Sequence, residues 1–288
     1  MSASANAGPD GKRGLGDFFG DFAGPLVLVG AGKMGGAMLE GWLALGLDPA
    51  KIVVLEPQPS AQVAAQTALG FRLNPSLADL RPAAVVIAIK PQIATEAITA
   101  LGALVNTATT VVSIMAGRTL AFLEKVLPAG AAIVRAMPNT PAAVGRGITV
   151  AVANQCAIGS QRDLADRLLA TMGRVEWVTD EGLLDAVTAV SGSGPAYVFL
   201  LAESLARAGA AAGLPSDLAE RLARATVAGA GELLHRSPLD AASLRVNVTS
   251  PGGTTAAALE VLMDQNGLDA LMEKAVAAAT RRSRDLAN

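Results

Sequence analysis

Leu26-Val27-Leu28-Val29-Gly30-Ala31-Gly32-Lys33-Met34-Gly35 joins a short aliphatic run to the spacing G-x-G-x-x-G. The run has the length and branching of a buried β-strand, and an alanine- and leucine-containing segment of helical length follows. Placed at a strand-to-helix turn, the glycines acquire separate tasks. Gly30 permits the tight turn, Gly32 lets a pyrophosphate approach the backbone, and Gly35 lets the helix lie against the sheet. Free amides at the helix N-terminus, with the helix dipole behind them, would hold the phosphates, and Ala31, Lys33 and Met34 count with the glycines as cofactor-binding residues. The bland alternative is a plain strand-to-helix turn, and the surroundings of the motif speak against it.

Working outward, further aliphatic runs recur at 52–55, 84–89, 110–114, 132–134 and 148–152, with a last strand at 175–178. Between most of them lie helical segments at 34–46, 60–69, 92–104 and 160–172. This alternation predicts an α/β domain of Rossmann type, a mostly parallel sheet with helices on both faces, over residues 24–180. After Asp180 the strand signal stops, and 181–288 predicts an all-helical domain punctuated by Gly213, Pro215, Pro238, Pro251-Gly252-Gly253 and Gly267. Its first helix, about 182–212, approaches transmembrane hydrophobicity. It is interrupted at Ser191-Gly192-Ser193-Gly194-Pro195 and heavy in alanine, so it reads as a helix buried by protein. About a hundred residues hardly surround it, and a second subunit is expected. Residues 1–23 read as a flexible tail without the apolar core of a signal peptide.

Composition removes several function classes. The 23 Lys and Arg against 25 Asp and Glu leave a net charge of −2, with no basic field for nucleic acid or an anionic membrane. Aromatics make up only 3% of the chain, too few for base-stacking platforms. A single cysteine, Cys156, and a single histidine, His235, exclude an internal disulfide and a zinc constellation, so no metal is expected and a reducing cytoplasm fits. His235, near a helix end, reads as a surface or capping residue, and Tyr197, in the apolar helix, as core.

On the cofactor side, Glu56 ends the second aliphatic run, where an acid accepts hydrogen bonds from ribose hydroxyls and repels a 2′-phosphate. That favours NADH mildly; NADPH stays open. Ala88-Ile89-Lys90-Pro91-Gln92 and Met115-Ala116-Gly117 leave the carboxyl ends of their strands, where ligands gather. Lys90 is either a solvated amine or a donor to the nicotinamide ribose, and the small residues after Met115 admit a flat ring. Alcohol dehydrogenases need a positioned acid or base, in which this chain is poor. The 3-hydroxy-acid dehydrogenases share the two-domain plan and a lysine on the long helix, whereas 196–212 here contains none. An imine arrives protonated and electrophilic, so its reduction needs orientation above all. Val248-Thr249-Ser250-Pro251-Gly252-Gly253-Thr254-Thr255 precedes a helical pattern and forms a helix N-terminus. It suits a carboxylate, and Thr255 suits a ring nitrogen; ordinary N-capping is the alternative.

Five segments in this order resemble the pyrroline-5-carboxylate reductase family: Gly30 to Gly35, Ala88 to Gln92, Arg135 to Pro141, Ala189 to Tyr197, and Val248 to Thr255. The resemblance, from about Leu26 to the end, implies NADPH- or NADH-dependent reduction of 1-pyrroline-5-carboxylate to L-proline in a cleft between the domains. It further implies helical domains that interlock as a homodimer and assemble into higher oligomers such as decamers. Carried over, Ser250, Gly252, Gly253, Thr254 and Thr255 would hold the substrate carboxylate, Thr255 would serve the ring nitrogen, and Asn139 would shape the nicotinamide pocket. The run Arg236 to Asp240 and Val246 depart from the family pattern, and the tail before the first strand is longer than usual. Reduction of a related cyclic imine and a catalytically silent NAD(P)-binding regulator are the competing readings; the intact Ser-Pro-Gly-Gly-Thr-Thr turn argues against the second.

Overall fold

A computed structural model describes residues 18–20, 22 and 24–287. Its sheet contains β1 (Leu26–Val29), β2 (Ile52–Leu55), β3 (Arg72–Leu73), β4 (Ala84–Ile87), β5 (Thr110–Ser113), β6 (Ala132–Met137), β7 (Gly147–Ala153) and β8 (Gly173–Trp177). The spatial order is β3-β2-β1-β4-β5-β6-β7-β8. All neighbouring pairs are parallel except β6 with β7. That exception follows from the link: residues 138–146, with Pro138, Pro141 and Gly145 at φ +67°, turn the chain back without a crossover helix.

Alternate side chains of the central strands enter two cores, one on each face. Leu26, Leu28, Ile52, Val54 and Val86 face one core, and Val27, Val29, Val53, Val85 and Ile87 the other. Helices α1 (Lys33–Ala44) and α5 (Gly159–Ala170) cover the first face; α3 (Ala94–Leu101) and α4 (Leu120–Val126) cover the second. The short α2 (Ala61–Gln66) also packs on the first face through Val63. Trp42 of α1 is fully buried because its indole N–H donates to the Leu168 carbonyl at 2.9 Å, pinning α1 to α5.

Two expectations change. The strand β3 has no counterpart in the sequence reading, because two residues carry no periodicity. The segment before β1 is also not wholly a tail: Phe19 and Phe22 lie in the first core at 5% and 3% exposure. Lys51 Nζ donates to the Phe22 carbonyl at 2.7 Å. Large rings gain more from burial than the short stretch loses on ordering. The rest of the expected tail, 1–17, 21 and 23, lies outside the described residues.

The remaining helices are α6 (Leu183–Val187), α7 (Gly194–Ala211), α8 (Ser216–Arg236), α9 (Ala241–Asn247), α10 (Thr254–Leu262) and α11 (Leu268–Ala287). Compact packing divides the chain after Val187, later than the boundary expected at 180, and returns Ser283–Asn288 to the first unit. The reason is local. Glu181 is tied to Arg135, and Asp185 accepts from Ser283 Oγ at 2.7 Å, so the start of the helical series and the end of α11 both anchor in the α/β unit.

In the second unit, Thr188–Gly192 forms a π-helical turn ahead of α7. The expected interruption is there, and its form is a widened turn, a feature frequent at functional sites. Tyr197 Oη donates to the Ala189 carbonyl at 3.0 Å and is half-buried instead of core. The α7 and α8 helices approach closely where Gly209 meets Ala219. The atypical segment at 236–246 runs from the last residue of α8 through a short loop into α9, which is capped by Asp240, whose carboxylate accepts from Ser243 N at 2.7 Å; that bond holds the carboxyl below its ordinary range.

Leu183–Ala211 is long and apolar enough to cross a membrane, and only 11% of its most apolar window is buried within the chain. Val198, Phe199, Leu200, Leu201 and Leu205 are all exposed. Such a continuous apolar surface marks an interface.

Candidate functional site

The Gly-rich turn is shaped by contacts that exclude side chains. Gly30 has φ +92°, its N–H donates to Leu55 O at 2.8 Å, and a Cβ there would lie 2.7 Å from the Ala88 carbonyl oxygen. At Gly35 a Cβ would overlap the Gly30 carbonyl oxygen and press on Ala88 Cβ. Gly32, by contrast, faces open space. It is also the N-cap of α1 and has no side-chain cap, so the first amides of α1 point out unsatisfied. Beside them is a groove of about 500 Å³ lined by Ala31, Gly32, Lys33, Met34, Ser60 and Thr140 among others. Open space over a glycine, uncapped amides and the exposed amine of Lys33 fit a dinucleotide pyrophosphate.

Glu56 stands next to this turn. Its Oε2 accepts from Ala31 N at 2.9 Å, and its Oε1 accepts from Gln58 N at 3.0 Å. The carboxylate therefore ties the end of β2 to the Gly-rich turn and keeps lone pairs for a further donor.

At the carboxyl end of β4, Ala88 is half-buried beneath Gly30, and its N–H donates to Val29 O at 2.8 Å. Lys90 is exposed, and its amine has no partner among the described residues. Arg118 grips the following residue: its Nε and Nη2 donate to the Pro91 carbonyl at 3.2 and 2.8 Å while its guanidinium stacks 4.7 Å from the Phe122 ring centre. Ala116 is exposed, but Gly117 is not: at φ +72° it meets the Leu286 carbonyl of α11, so its smallness serves chain packing and a ring approaching there would meet α11. Asn139 Oδ1 accepts from Ile148 N at 3.0 Å, which fixes the turn after β6 and leaves the Nδ2 hydrogens without a partner among the described residues.

Three residues that chemical motif reading passes over support this edge. Arg118 is one and Asn74 another. The third is Glu181, whose Oε1 accepts from Arg135 Nη1 at 2.7 Å and from Leu120 N at 2.8 Å. Arg135 lies in the middle of β6 with its side chain 7% exposed. An arginine inside an aliphatic run is the one signal in the sequence that such a pair exists.

In the helical unit, Gly253 is the N-cap of α10 and, like Gly32, supplies no side-chain cap. The hydroxyls of Ser250, Thr254 and Thr255 make no hydrogen bond among the described residues, whereas Thr249 Oγ1 is committed to the Arg245 carbonyl at 2.7 Å. The N-capping alternative therefore does not account for them. Gly252 has φ +67° with nothing near its Cα, so the left-handed turn alone demands glycine there. Gly253 N closes that turn on Ser250 O at 3.0 Å. The result is a set of exposed and half-buried hydroxyls and amides at one positive helix end, donors of a kind that a carboxylate fits. Elsewhere in the same unit, Ser191 Oγ is buried in the π-helical turn without a partner among the described residues.

Comparison with known proteins extends the geometry. The family model described as pyrroline-5-carboxylate reductase dimerisation matches residues 181–286, and one described as NADP oxidoreductase, coenzyme F420-dependent, matches 25–117. The helical region is thus a dimerisation region, which accounts for the apolar surface of α7. The pyrroline-5-carboxylate reductase of Pseudomonas aeruginosa is 38% identical over 91% of this chain and 96% of its own. A solved pyrroline-5-carboxylate reductase from Coxiella burnetii has a TM-score of 0.85 at 34% identity, covering 92% of this chain and 99% of that one. A pyrroline carboxylate reductase from Plasmodium falciparum, solved with NADP bound, has a TM-score of 0.77 at 28% identity over 92% of this chain and 98% of that one. With both halves matched along nearly their whole length, the chain belongs to the pyrroline-5-carboxylate reductase family of NAD(P)-dependent oxidoreductases.

Proposed function

We propose that Ser250, Gly252, Gly253, Thr254 and Thr255 bind the carboxylate of 1-pyrroline-5-carboxylate, and that Thr255 orients its ring nitrogen during reduction to L-proline. The observation that carries this is the uncapped start of α10, where three hydroxyls have no partner among the described residues. The amides of Thr254 and Thr255 would take the carboxylate oxygens, the Ser250 and Thr254 hydroxyls would add to them, and the dipole of α10 would supply positive potential. Thr255 Oγ1 would fix the tilt of the ring by a hydrogen bond at nitrogen. Reduced nicotinamide, when bound, supplies the hydride for the imine carbon. The π electrons of the C=N bond then pass to nitrogen, which keeps the proton it brought, so the chain need furnish no strong acid.

On the nucleotide side, Gly32, Lys33 and Met34 would hold the pyrophosphate, Gly30 and Gly35 would shape the turn around it, Ala31, whose amide is bonded to Glu56, would border it, and Glu56 would face the adenosine ribose. Ala88, Lys90, Pro91, Ala116, Gly117 and Asn139 would border the nicotinamide end. Gly117 would act there through the bend it allows, and Asn139 through its Nδ2 hydrogens. NADPH and NADH are both candidate cofactors, and Glu56 is the residue on which the choice turns. The exposed free thiol of Cys156 supports the cytoplasm as the compartment.

Following the oxidation of NADH and NADPH separately with pyrroline-5-carboxylate tests reaction and cofactor together; no oxidation of either would overturn the proposal. Thr255→Ala is expected to lower kcat/KM for pyrroline-5-carboxylate by about tenfold to a hundredfold, the range of one or two lost positioning bonds, with cofactor KM close to wild type. Wild-type kinetics in that variant would remove Thr255 from the site.

The assembly is proposed as a homodimer through α7 and its neighbours that builds further, up to a decamer. Phe199 is 64% exposed within one chain. Phe199→Glu is expected to shift the mass measured by light scattering toward a smaller species, because a buried unpaired carboxylate opposes the contact. An unchanged mass would place the interface elsewhere.

A further inference from the structure

We propose that Asn74 is a positioning residue for cofactor choice: its side-chain amide stands in for a missing strand residue and sets the Glu56 carboxylate at the Gly-rich turn. The inference rests on the reading of Glu56 as the residue facing the adenosine ribose. In the parallel pair of β2 with β3, Val53 stands opposite Arg72 and Val54 opposite Leu73. Asn74 N continues the ladder to Val54 O at 2.8 Å. In a longer strand the next two bonds would join Glu56 N to the backbone carbonyl of residue 74 and Glu56 O to the amide of residue 76.

The main chain does not supply them. Asn74 has φ +48°, the one non-glycine left-handed conformation among the described residues, and the chain leaves the sheet there. Its side chain makes both bonds instead: Oδ1 accepts from Glu56 N at 2.9 Å, and Nδ2 donates to Glu56 O at 2.9 Å. Asparagine tolerates the left-handed region better than other side chains and carries a donor and an acceptor in the spacing of a peptide group, so it meets both demands. Held this way at its backbone, Glu56 directs Oε2 to Ala31 N and Oε1 to Gln58 N. A carboxylate so fixed meets ribose hydroxyls in one geometry and confronts a 2′-phosphate with a charge that does not swing away. Without the amide clamp, Glu56 gains freedom, its hold on the hydroxyls weakens, and its repulsion of the phosphate is relieved.

The test is steady-state kinetics with both cofactors on Asn74→Gly, which keeps the left-handed backbone and deletes the amide, on Glu56→Ser, and on the double variant. Fluorescence titration of NADH and NADPH binding to the same enzymes without substrate accompanies it, and the Kd ratio should move with the kinetic one. Asn74→Gly is expected to raise the NADPH-to-NADH ratio of kcat/KM about threefold to tenfold, the range of one hydrogen bond weakened between Glu56 and the ribose. KM for pyrroline-5-carboxylate should stay within about twofold of wild type, a split that general loss of structure would not give. The double variant should match Glu56→Ser alone, since Asn74 acts through Glu56. A raised ratio in Glu56→Ser with a wild-type ratio in Asn74→Gly overturns the role of Asn74 and leaves Glu56 standing. A wild-type ratio in Glu56→Ser removes the Glu56 reading and this proposal with it. Additive effects in the double variant also overturn the proposal. Should the glycine variant not fold, Asn74→Ser, whose short hydroxyl does not span both Glu56 groups, is read by the same comparisons.

Discussion

Replacing Gly35 with alanine is expected to weaken cofactor binding by more than about tenfold and to destabilise the α/β unit by about 1–3 kcal/mol, the usual cost of overpacking a close contact. The added methyl has nowhere to go. It meets the Gly30 carbonyl oxygen and Ala88 Cβ, and Gly30 does not retreat because its own N–H is bonded to Leu55 O and its φ is already +92°. Relief requires α1 to move off the turn, which misaligns the amides proposed to hold the phosphates. Cofactor titration and urea denaturation measure the two effects. Gly32→Ala is the matching control: its methyl projects into open space, so the denaturation midpoint should stay at wild type while cofactor affinity falls. Equal denaturation midpoints for Gly35→Ala and wild type would refute the steric argument.

Glu181→Ala is expected to cost roughly 3–5 kcal/mol, the range for breaking a buried ion pair from one side. Arg135 would keep its charge with its side chain only 7% exposed and no carboxylate to meet it. Leu120 N would lose its acceptor at the start of α4, where a negative charge also complements the helix dipole. Removing both charges together, Arg135→Met with Glu181→Ala, should recover much of the loss, because no uncompensated cation remains. Denaturant unfolding of the wild type and the two variants measures this; a double variant no better than Glu181→Ala would show that the arginine's charge is not the source of the cost.

The parts of the fold that the sequence makes legible are those whose signal is local. The β1, β2 and β4 strands lie buried in the sheet and therefore appear as unbroken aliphatic runs, with Gly30 and Gly35 following β1 where only glycine fits. The two-residue β3 has no pattern to detect, and the burial of Phe19 and Phe22 is hidden by polar neighbours. A break was visible at Ser191 to Pro195, but composition does not distinguish a kink from a π-helical turn. Supports that span the chain are the least legible. Asn74 and Glu56 are 18 residues apart and Arg135 and Glu181 are 46 apart, and nothing in either neighbourhood names the other. For the proposed carboxylate site the segment itself is plain, whereas only the structure shows hydroxyls without partners among the described residues, the observation that bears on capping against ligand binding.

The return of the last residues of α11 to the first unit sets an order of events during synthesis. A ribosome delivers the chain from its N-terminus, so all eight strands emerge before the helical series begins. At that stage Asp185 lacks Ser283 and Arg284, and Gly117 lacks the Leu286 backbone that lies over it. The α/β unit is therefore finished only after the whole helical unit has been made, and the nascent protein must shelter an open edge until its final turn of helix arrives.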